Sequence, residues 1–290
     1  MNNDTIKKIL TEKLKSIESL TWGDVICYNW PISQEIKNNF KEFIEQLKAD
    51  GNNNKISVIL YTNWGAAEWA EDLVTILRKH YSVVDFIIPD YAMSAWTILC
   101  MSWDDIYMDY SSALWPIDPQ IPDQTTKTYI PASWYLDRIN ELIAKEESWK
   151  QLTQSELNII LQADIWKLKF IEQAKNLTVT LLKEWLFKYK FKDWNTHEWS
   201  FNPSKRWQTV TDAEKKERAE EVARSLWDVS IWHTHGRTID INKLRTILKL
   251  KIKEFDEIEW LKESIREYHD VFNVLVPNRN YYFLHSRKFI

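Results

Sequence analysis

Residues 56–101 read ISVILYTNWGAAEWAEDLVTILRKHYSVVDFIIPDYAMSAWTILCM, and the order of apolar runs and turns within them decides the fold class. Residues 56–61 form a short apolar run of the size expected for a buried strand. Residues 62–65 are a turn, and residues 66–80 place Leu73, Ile76 and Leu77 on the inward face of a helix. The pattern then repeats, with a strand over 83–88, a connection over 89–93, a short apolar helix over 94–101 and a strand over 106–110. Strands alternating with helices imply a parallel sheet covered on both faces.

Upstream, residues 1–20 space their apolar side chains like an amphipathic helix, and residues 24–28 read as a short strand. Ser33 is placed to N-cap a helix running to residue 49, with Ile36, Phe40, Ile44 and Leu47 along one side. Downstream, residues 111–131 carry four prolines and little periodicity, which suits a loop-rich border of an active site. From Trp134 onward the pattern predicts helices near 134–148, 154–175, 177–191, 211–226, 241–253 and 257–268, a polar break at 202–208, and one or two strands within 273–284. The expected organisation is an α/β core over 1–135 and a mainly helical region over 136–290 of the same domain.

Composition narrows the functional classes. A net charge of -4 and a pI near 5.9 give no basic surplus for nucleic acid. No run approaches the roughly 18 apolar residues of a membrane span, and the N-terminus lacks the apolar core of a signal peptide, so a cytoplasmic protein is expected. Cys27 and Cys100 each sit in an apolar run and read as small buried hydrophobes. Only His233 and His235 lie close together, with no cysteine pair beside them, so neither a metal nor another cofactor is expected.

Glycine and tryptophan are out of balance. The chain has 4 glycines and 17 tryptophans, where a usual glycine share of roughly 7% would give about 20. Trp64, Trp103 and Trp115 stand in turn contexts, where an indole is the wrong shape and glycine the right one. The expectation is a gene that uses UGA for glycine, read with a table in which UGA means tryptophan; Trp194 and Trp232 are candidates for genuine tryptophans.

Two successive strand-to-helix turns bring helix-start N–H groups to the carboxyl edge of the sheet, where they are able to hold an oxyanion. If Ser94 opens the second helix, its hydroxyl projects into that edge, with the N–H of Ala95 and one near Gly65 aimed at developing negative charge. A serine before a helix is equally an ordinary N-cap, and spacing alone does not separate the two readings.

Three ordered segments bear on that choice: Ile59 to Glu68 (ILYTNWGAAE), Ala92 to Thr97 (AMSAWT) and Ser111 to Gln120 (SSALWPIDPQ). With glycine at 64, 96 and 115 they become TNGGAAE, MSAGT and SSALGPIDPQ, and the chain resembles the serine dehydrogenase proteinase family. The likeness is strongest over residues 20 to 135 and continues through Trp232-His233-Thr234-His235-Gly236-Arg237. That family is related to the Clp protease proteolytic subunit and signal peptide peptidase A. The resemblance implies a Clp/crotonase-like spiral of strand-strand-helix units with a helical C-terminal extension, a tendency to form homo-oligomers, and a peptide or protein substrate. It maps Ser94 onto the nucleophile, and Gly65 and the amide of Ala95 onto the oxyanion hole, so the implied chemistry is acyl transfer from a peptide bond.

The general base is less defined. Clp relatives use histidine, whereas the corresponding position here is Asp118, which accepts a proton only if its pKa is raised. Lys127 lies in the stretch where signal peptide peptidases carry a lysine and would need desolvation to serve. His235 is a third candidate, remote in sequence. Two other functions stay open: a non-catalytic oligomeric scaffold or peptide-binding protein, and a coenzyme A thioester enzyme that uses the same amides without Ser94.

Overall fold

The structure, a computed structural model, describes residues 3–61, 65–122, 127–198, 203–234, 236–276 and 282–287. Helix α1 (Asn3–Thr21) buries Ile6, Leu10, Leu14 and Ile17, one stripe of a 3.6-residue period. After it come β1 (Asp24–Asn29), α2 (Ile36–Ala49), β2 (Lys55–Leu60), α3 (Ala67–His80), β3 (Val83–Ile88), β4 (Tyr91–Ala92), α4 (Ala95–Cys100), β5 (Asp105–Met108) and β6 (Ala113–Leu114). The proline-rich connection holds β7 (Gln120–Pro122) and β8 (Tyr129–Pro131), an antiparallel pair. The second half contains α5 (Ala132–Glu147), α6 (Gln154–Leu161), α7 (Ile165–Trp185), α8 (Asp212–Trp227), α9 (Val229–Trp232), α10 (Ile241–Thr246), β9 (Lys253–Glu254), α11 (Leu261–Leu275) and β10 (Phe283–His285).

The main sheet runs in the order β10-β1-β2-β3-β5-β9; β10 is antiparallel to β1 and every other pair is parallel. Alternate side chains enter opposite cores, as the two-residue strand period requires. Val25, Cys27, Ile59, Ile87 and Tyr107 face α1 and α11, whereas Ile26, Tyr28, Val58, Leu60, Phe86, Ile88, Ile106 and Met108 face the larger core built with α2, α3, α4, α7 and α8. Both strand faces are therefore apolar, which is why strands in residues 56–110 read as continuous runs.

A second layer follows the first. β3 is succeeded after two residues by β4, and β5 after four residues by β6, and these short strands pair with each other in parallel. Earlier in the chain, Ile32 after β1 and Gly65 after β2 form a parallel bridge of the same kind. Each long strand thus hands the chain to a short one before the next helix or strand, giving the Clp-like spiral of strand-strand-helix units expected from the resemblance. Strands β9 and β10, from the C-terminal half, flank the main sheet, so the helical region closes the same layer rather than standing apart from it.

Several boundaries differ from expectation for local physical reasons. Helix α2 starts at Ile36 rather than after Ser33, and Glu35 at its N-cap makes no side-chain capping bond. The long helix expected over 154–175 is broken, because the Asp164 carboxylate accepts from the N–H groups of Trp166 and Lys167 and starts α7 afresh. The helix expected over 241–253 ends at Thr246: Lys249 adopts φ 45° and the Leu250 N–H closes onto the Leu244 carbonyl at 2.9 Å. α11 runs to Leu275 and takes up residues expected as strand, leaving β10 as the described strand near the C-terminus.

Where β10 meets α1 and α11, His285 is fully buried, with Nδ1 2.8 Å from the Tyr268 hydroxyl and Nε2 3.2 Å from Thr11 Oγ1. Burial pushes its pKa down to about 3 from an ordinary 6.5. A lowered folded-state pKa means that the unfolded chain binds the extra proton, so this stability is complete above about pH 6.5 and is lost as pH falls from there toward 3. Urea unfolding at pH 7 and pH 5 should show a loss of about 2 kcal/mol attributable to His285. His285→Gln should flatten that part of the profile, and an equal pH dependence in both proteins would refute the assignment.

Candidate active site

Ser94 stands between β4 and α4 with φ 46° and ψ -109°. A left-handed φ is costly for a residue with a Cβ, and such strain persists only where the surroundings impose it. The surroundings here are rigid. β4 is clamped to β6 by the register pairs Tyr91 with Ala113 and Ala92 with Leu114, and all six residues of α4 are buried. The chain must therefore reverse from strand to helix within Met93 and Ser94, the same kind of strained elbow that exposes a nucleophilic hydroxyl in other hydrolase turns. Ser94 is half-buried, its side chain makes no capping bond to α4, and its carbonyl accepts from the Ile98 N–H at 3.1 Å.

Thr97, one turn along α4, holds the elbow in place. Its buried hydroxyl donates to the Ala92 carbonyl at 3.1 Å and accepts from the Trp115 N–H at 3.2 Å, tying α4 to the exits of both short strands. A second brace comes from the turn before β6. The Asp109 carboxylate accepts from the Ser111 N–H and hydroxyl and from the Ser112 N–H, while the Ser112 hydroxyl donates to the Ile88 carbonyl at 2.6 Å. Burial alone would raise the Asp109 pKa, but these bonds and Arg266 outweigh it and hold the carboxyl below its ordinary range. Neither Thr97 nor Asp109 stood out in the sequence; the Asp-x-Ser-Ser run at 109–112 is a turn signal that would have found the second.

The Ala95 N–H begins α4 and has no partner within so short a helix. Gly65 is set by a different constraint. Its parallel bridge to Ile32 uses the Ala66 N–H, which donates to the Ile32 carbonyl at 3.0 Å. Adjacent amides on a strand point to opposite edges, so the Gly65 N–H faces away from Ile32. The approach is close: a Cβ at Gly65 would lie 2.7 Å from Ile32 Cβ and 2.9 Å from the Ile32 amide nitrogen. This glycine is required by the backbone and not only by the turn.

Asp118 lies four residues beyond Leu114, the pairing partner of Ala92, so Ser94 and Asp118 leave neighbouring parallel strands at the same end. Its side chain is fully buried. Around it, the Ile117 N–H donates to the Leu226 carbonyl and the Pro119 carbonyl accepts from the Ala132 N–H, which fixes the segment against α8 and α5. Lys127 is exposed at φ 55°, so the desolvation that a lysine base requires is not met there. His235 lies outside the described residues. The segment that carries it is anchored by Ile239, which exchanges backbone hydrogen bonds of 2.7 and 3.0 Å with Leu114 on the far side of β6 from β4.

Two cavities open elsewhere. One of about 260 Å³ is bordered by Pro89, Asp90, Asp109, Arg266 and His269, and one of about 400 Å³ by Ser133, Asp137, Lys175, Arg224 and Asp228. Neither is lined by Ser94 or Asp118. Both cysteines are free and buried, and burial pushes the Cys27 thiol up to about 12, which removes it as a thiolate nucleophile at neutral pH. Among the described residues no helix is long and apolar enough to cross a membrane.

The tryptophans at issue take varied positions. Trp64 is outside the described residues. Trp96 and Trp103 are fully buried rather than exposed or strained; the Trp96 ring packs edge-on against Tyr28 with centroids 4.6 Å apart. Trp115 is half-buried against Tyr91.

Comparison with known proteins places this geometry in context. The chain is 27% identical over 144 residues to one uncharacterised protein of Methanocaldococcus jannaschii, covering 50% of this chain and 45% of that protein. It is 26% identical over 230 residues to another from the same organism, covering 79% and 62%. The chain thus spans about half of the first relative and under two thirds of the second. Among solved structures it is similar to the 1510-N membrane-bound stomatin-specific protease in complex with a substrate peptide, at 18% identity and a TM-score of 0.30 over 38% of this chain and 54% of that one. It is also similar to ClpP1 from Listeria monocytogenes, at 9% identity and a TM-score of 0.41 over 82% and 91%. A model of the ClpP-like SDH-type serine proteinases matches residues 19–198, more than half of the chain, and the protein belongs to that family.

Proposed function

We propose that this protein is a serine endopeptidase in which Ser94 is the nucleophile. The observation that carries the reading is the left-handed φ that the clamped β4–β6 pair and the buried α4 impose on Ser94, a strained elbow of the kind that presents a nucleophilic hydroxyl. In the proposed reaction Ser94 Oγ attacks the carbonyl carbon of a peptide bond while its proton passes to a base, and the carbonyl electron pair moves onto oxygen. The N–H groups of Ala95 and Gly65 hold that oxyanion. Collapse expels the amine with the proton, and water then cleaves the acyl-enzyme by the same steps in reverse order.

Asp118 is the first candidate for the base or its orienting partner, because it leaves the strand beside that of Ser94 and is buried; His235 is the second. A cytoplasmic homo-oligomer acting on peptides or proteins fits this reading, and the exposed Leu161, Ile165, Trp166 and Phe170 at the α6–α7 turn supply apolar surface for self-association. Glycine encoded by UGA at 64, 96 and 115 is part of the proposal and rests on the three turn segments.

The test is fluorophosphonate labelling of the purified chain, as written and with glycine at 64, 96 and 115, followed by peptide mapping. Modification of the peptide containing Ser94 is expected. A folded protein that stays unlabelled in both forms would favour the non-catalytic scaffold.

A further inference from the structure

Among the described residues eight non-glycine residues have a left-handed φ, and four of them are tryptophans: Trp22 at 57°, Trp149 at 59°, Trp207 at 64° and Trp260 at 67°. Tryptophan supplies half of these positions while making up 17 of 290 residues. None of the four glycines has a positive φ. This inverts the usual assignment, because glycine pays no Cβ penalty in the left-handed region and is the residue normally found there.

Each of the four sits at a position that ordinarily selects glycine. Trp22 follows α1, and its N–H donates to the Glu18 carbonyl at 3.1 Å, the single bond of a left-handed helix cap. Trp149 follows α5 with both bonds of a Schellman cap: its own N–H to the Glu146 carbonyl at 2.8 Å, and the Lys150 N–H to the Lys145 carbonyl at 3.2 Å. Trp207 and Trp260 are third residues of turns closed by Gln208 N–H to Lys205 carbonyl and Leu261 N–H to Ile258 carbonyl, at 3.1 and 3.2 Å.

Their side chains offer no reason for an indole. Trp22, Trp149, Trp207 and Trp260 are 86%, 97%, 72% and 65% exposed, in contrast to the fully buried Trp96, Trp103 and Trp232. An exposed indole gains little from burial, so nothing offsets the strained backbone beneath it.

We infer that residues 22, 149, 207 and 260 are glycine in the protein as its own cells make it, through UGA codons read as glycine. This assignment uses backbone angle and exposure alone, at positions outside the proposed active site, and stands or falls separately from the peptidase reading. The left-handed Lys249 shows that a non-glycine residue does occupy such a cap in this chain, so the inference rests on the concentration of tryptophan and not on any single angle.

The first experiment reads the four codons and then weighs the corresponding peptides from the protein isolated from its own cells. UGA codons with glycine-mass peptides are the expected result. UGG codons, or peptides carrying the mass of tryptophan, overturn the inference. A second measurement tests its structural basis by comparing full-length chains with glycine or alanine at the four positions in urea unfolding. Glycine normally stabilises less than alanine because it frees the unfolded chain. At a left-handed position the order reverses, and each glycine should raise the folding equilibrium constant over alanine by about fivefold or more. Alanine forms as stable as glycine forms would remove the backbone argument.

Discussion

If Ser94 is the nucleophile as proposed, Ser94→Ala should abolish peptide hydrolysis while leaving the protein folded. Loss of a serine nucleophile in such sites lowers kcat by about 10⁴ to 10⁶, and the residual rate reflects the oxyanion amides and binding alone. Stability should change by less than about 0.5 kcal/mol, since alanine keeps the Cβ, and with it the same strain, at φ 46°. Ser94→Gly sharpens the test. It removes the hydroxyl and relieves the left-handed backbone, so it should be as inactive as the alanine form yet more stable than it by about 1 kcal/mol. Peptide turnover that survives in both variants would refute the nucleophile assignment, and thioester turnover independent of residue 94 would move the protein to the coenzyme A enzymes. A measured rise in urea midpoint for glycine over alanine would place the strain at Ser94 itself.

Gly65→Ala should destabilise the chain by about 2 to 3 kcal/mol and, on the proposed mechanism, impair acylation. The added methyl would stand 2.9 Å from the Ile32 amide nitrogen as well as 2.7 Å from its Cβ. Backbone cannot move aside as a flexible side-chain tip does, so the short second-layer bridge must open. Opening it would displace the Gly65 N–H, and if that group is the proposed oxyanion donor its loss should cost about 10² to 10³ in kcat. Thermal unfolding together with the fluorophosphonate labelling rate measures both effects. Gly23→Ala is the control: its Cβ would meet the Lys55 carbonyl oxygen at 2.8 Å, at the amino end of β2 and away from Ser94. It should lower stability without a matching loss of labelling rate, and equal labelling losses in the two variants would detach Gly65 from the site.

The parts of the protein legible in its sequence are those whose determinants are local. The runs in residues 56–110 announced β2, β3 and β5 because both faces of a covered parallel strand are apolar. The helices between them announced themselves by the spacing of residues such as Leu73 and Leu77, which the structure buries. The Ser94 turn was visible for a related reason, since a strand must end and a helix begin within a few residues. Thr153 and Thr211, each bonded reciprocally to a glutamate three residues on, mark the starts of α6 and α8 equally locally. Reading was poorest from residue 241 onward. There the end of α10 depends on a cap at Lys249, and β9 exists only because Lys253 and Glu254 find the edge of β5.

The sequence by itself thus determined the alternation of strands and helices, the burial of Cys27 and Cys100, and the place of Ser94 at a strand-to-helix turn. Each depends on the side-chain pattern within about ten residues. Tertiary structure decided what distant segments do to one another: the β4–β6 pairing that sends Ser94 and Asp118 off the same edge, the Ile32 backbone that excludes a Cβ at Gly65, and the presence of both buried tryptophan rings and exposed tryptophans at left-handed caps and turns. These depend on the register of strands and the backbone angles imposed by packing, and no local pattern encodes which residues will be pressed together across the fold.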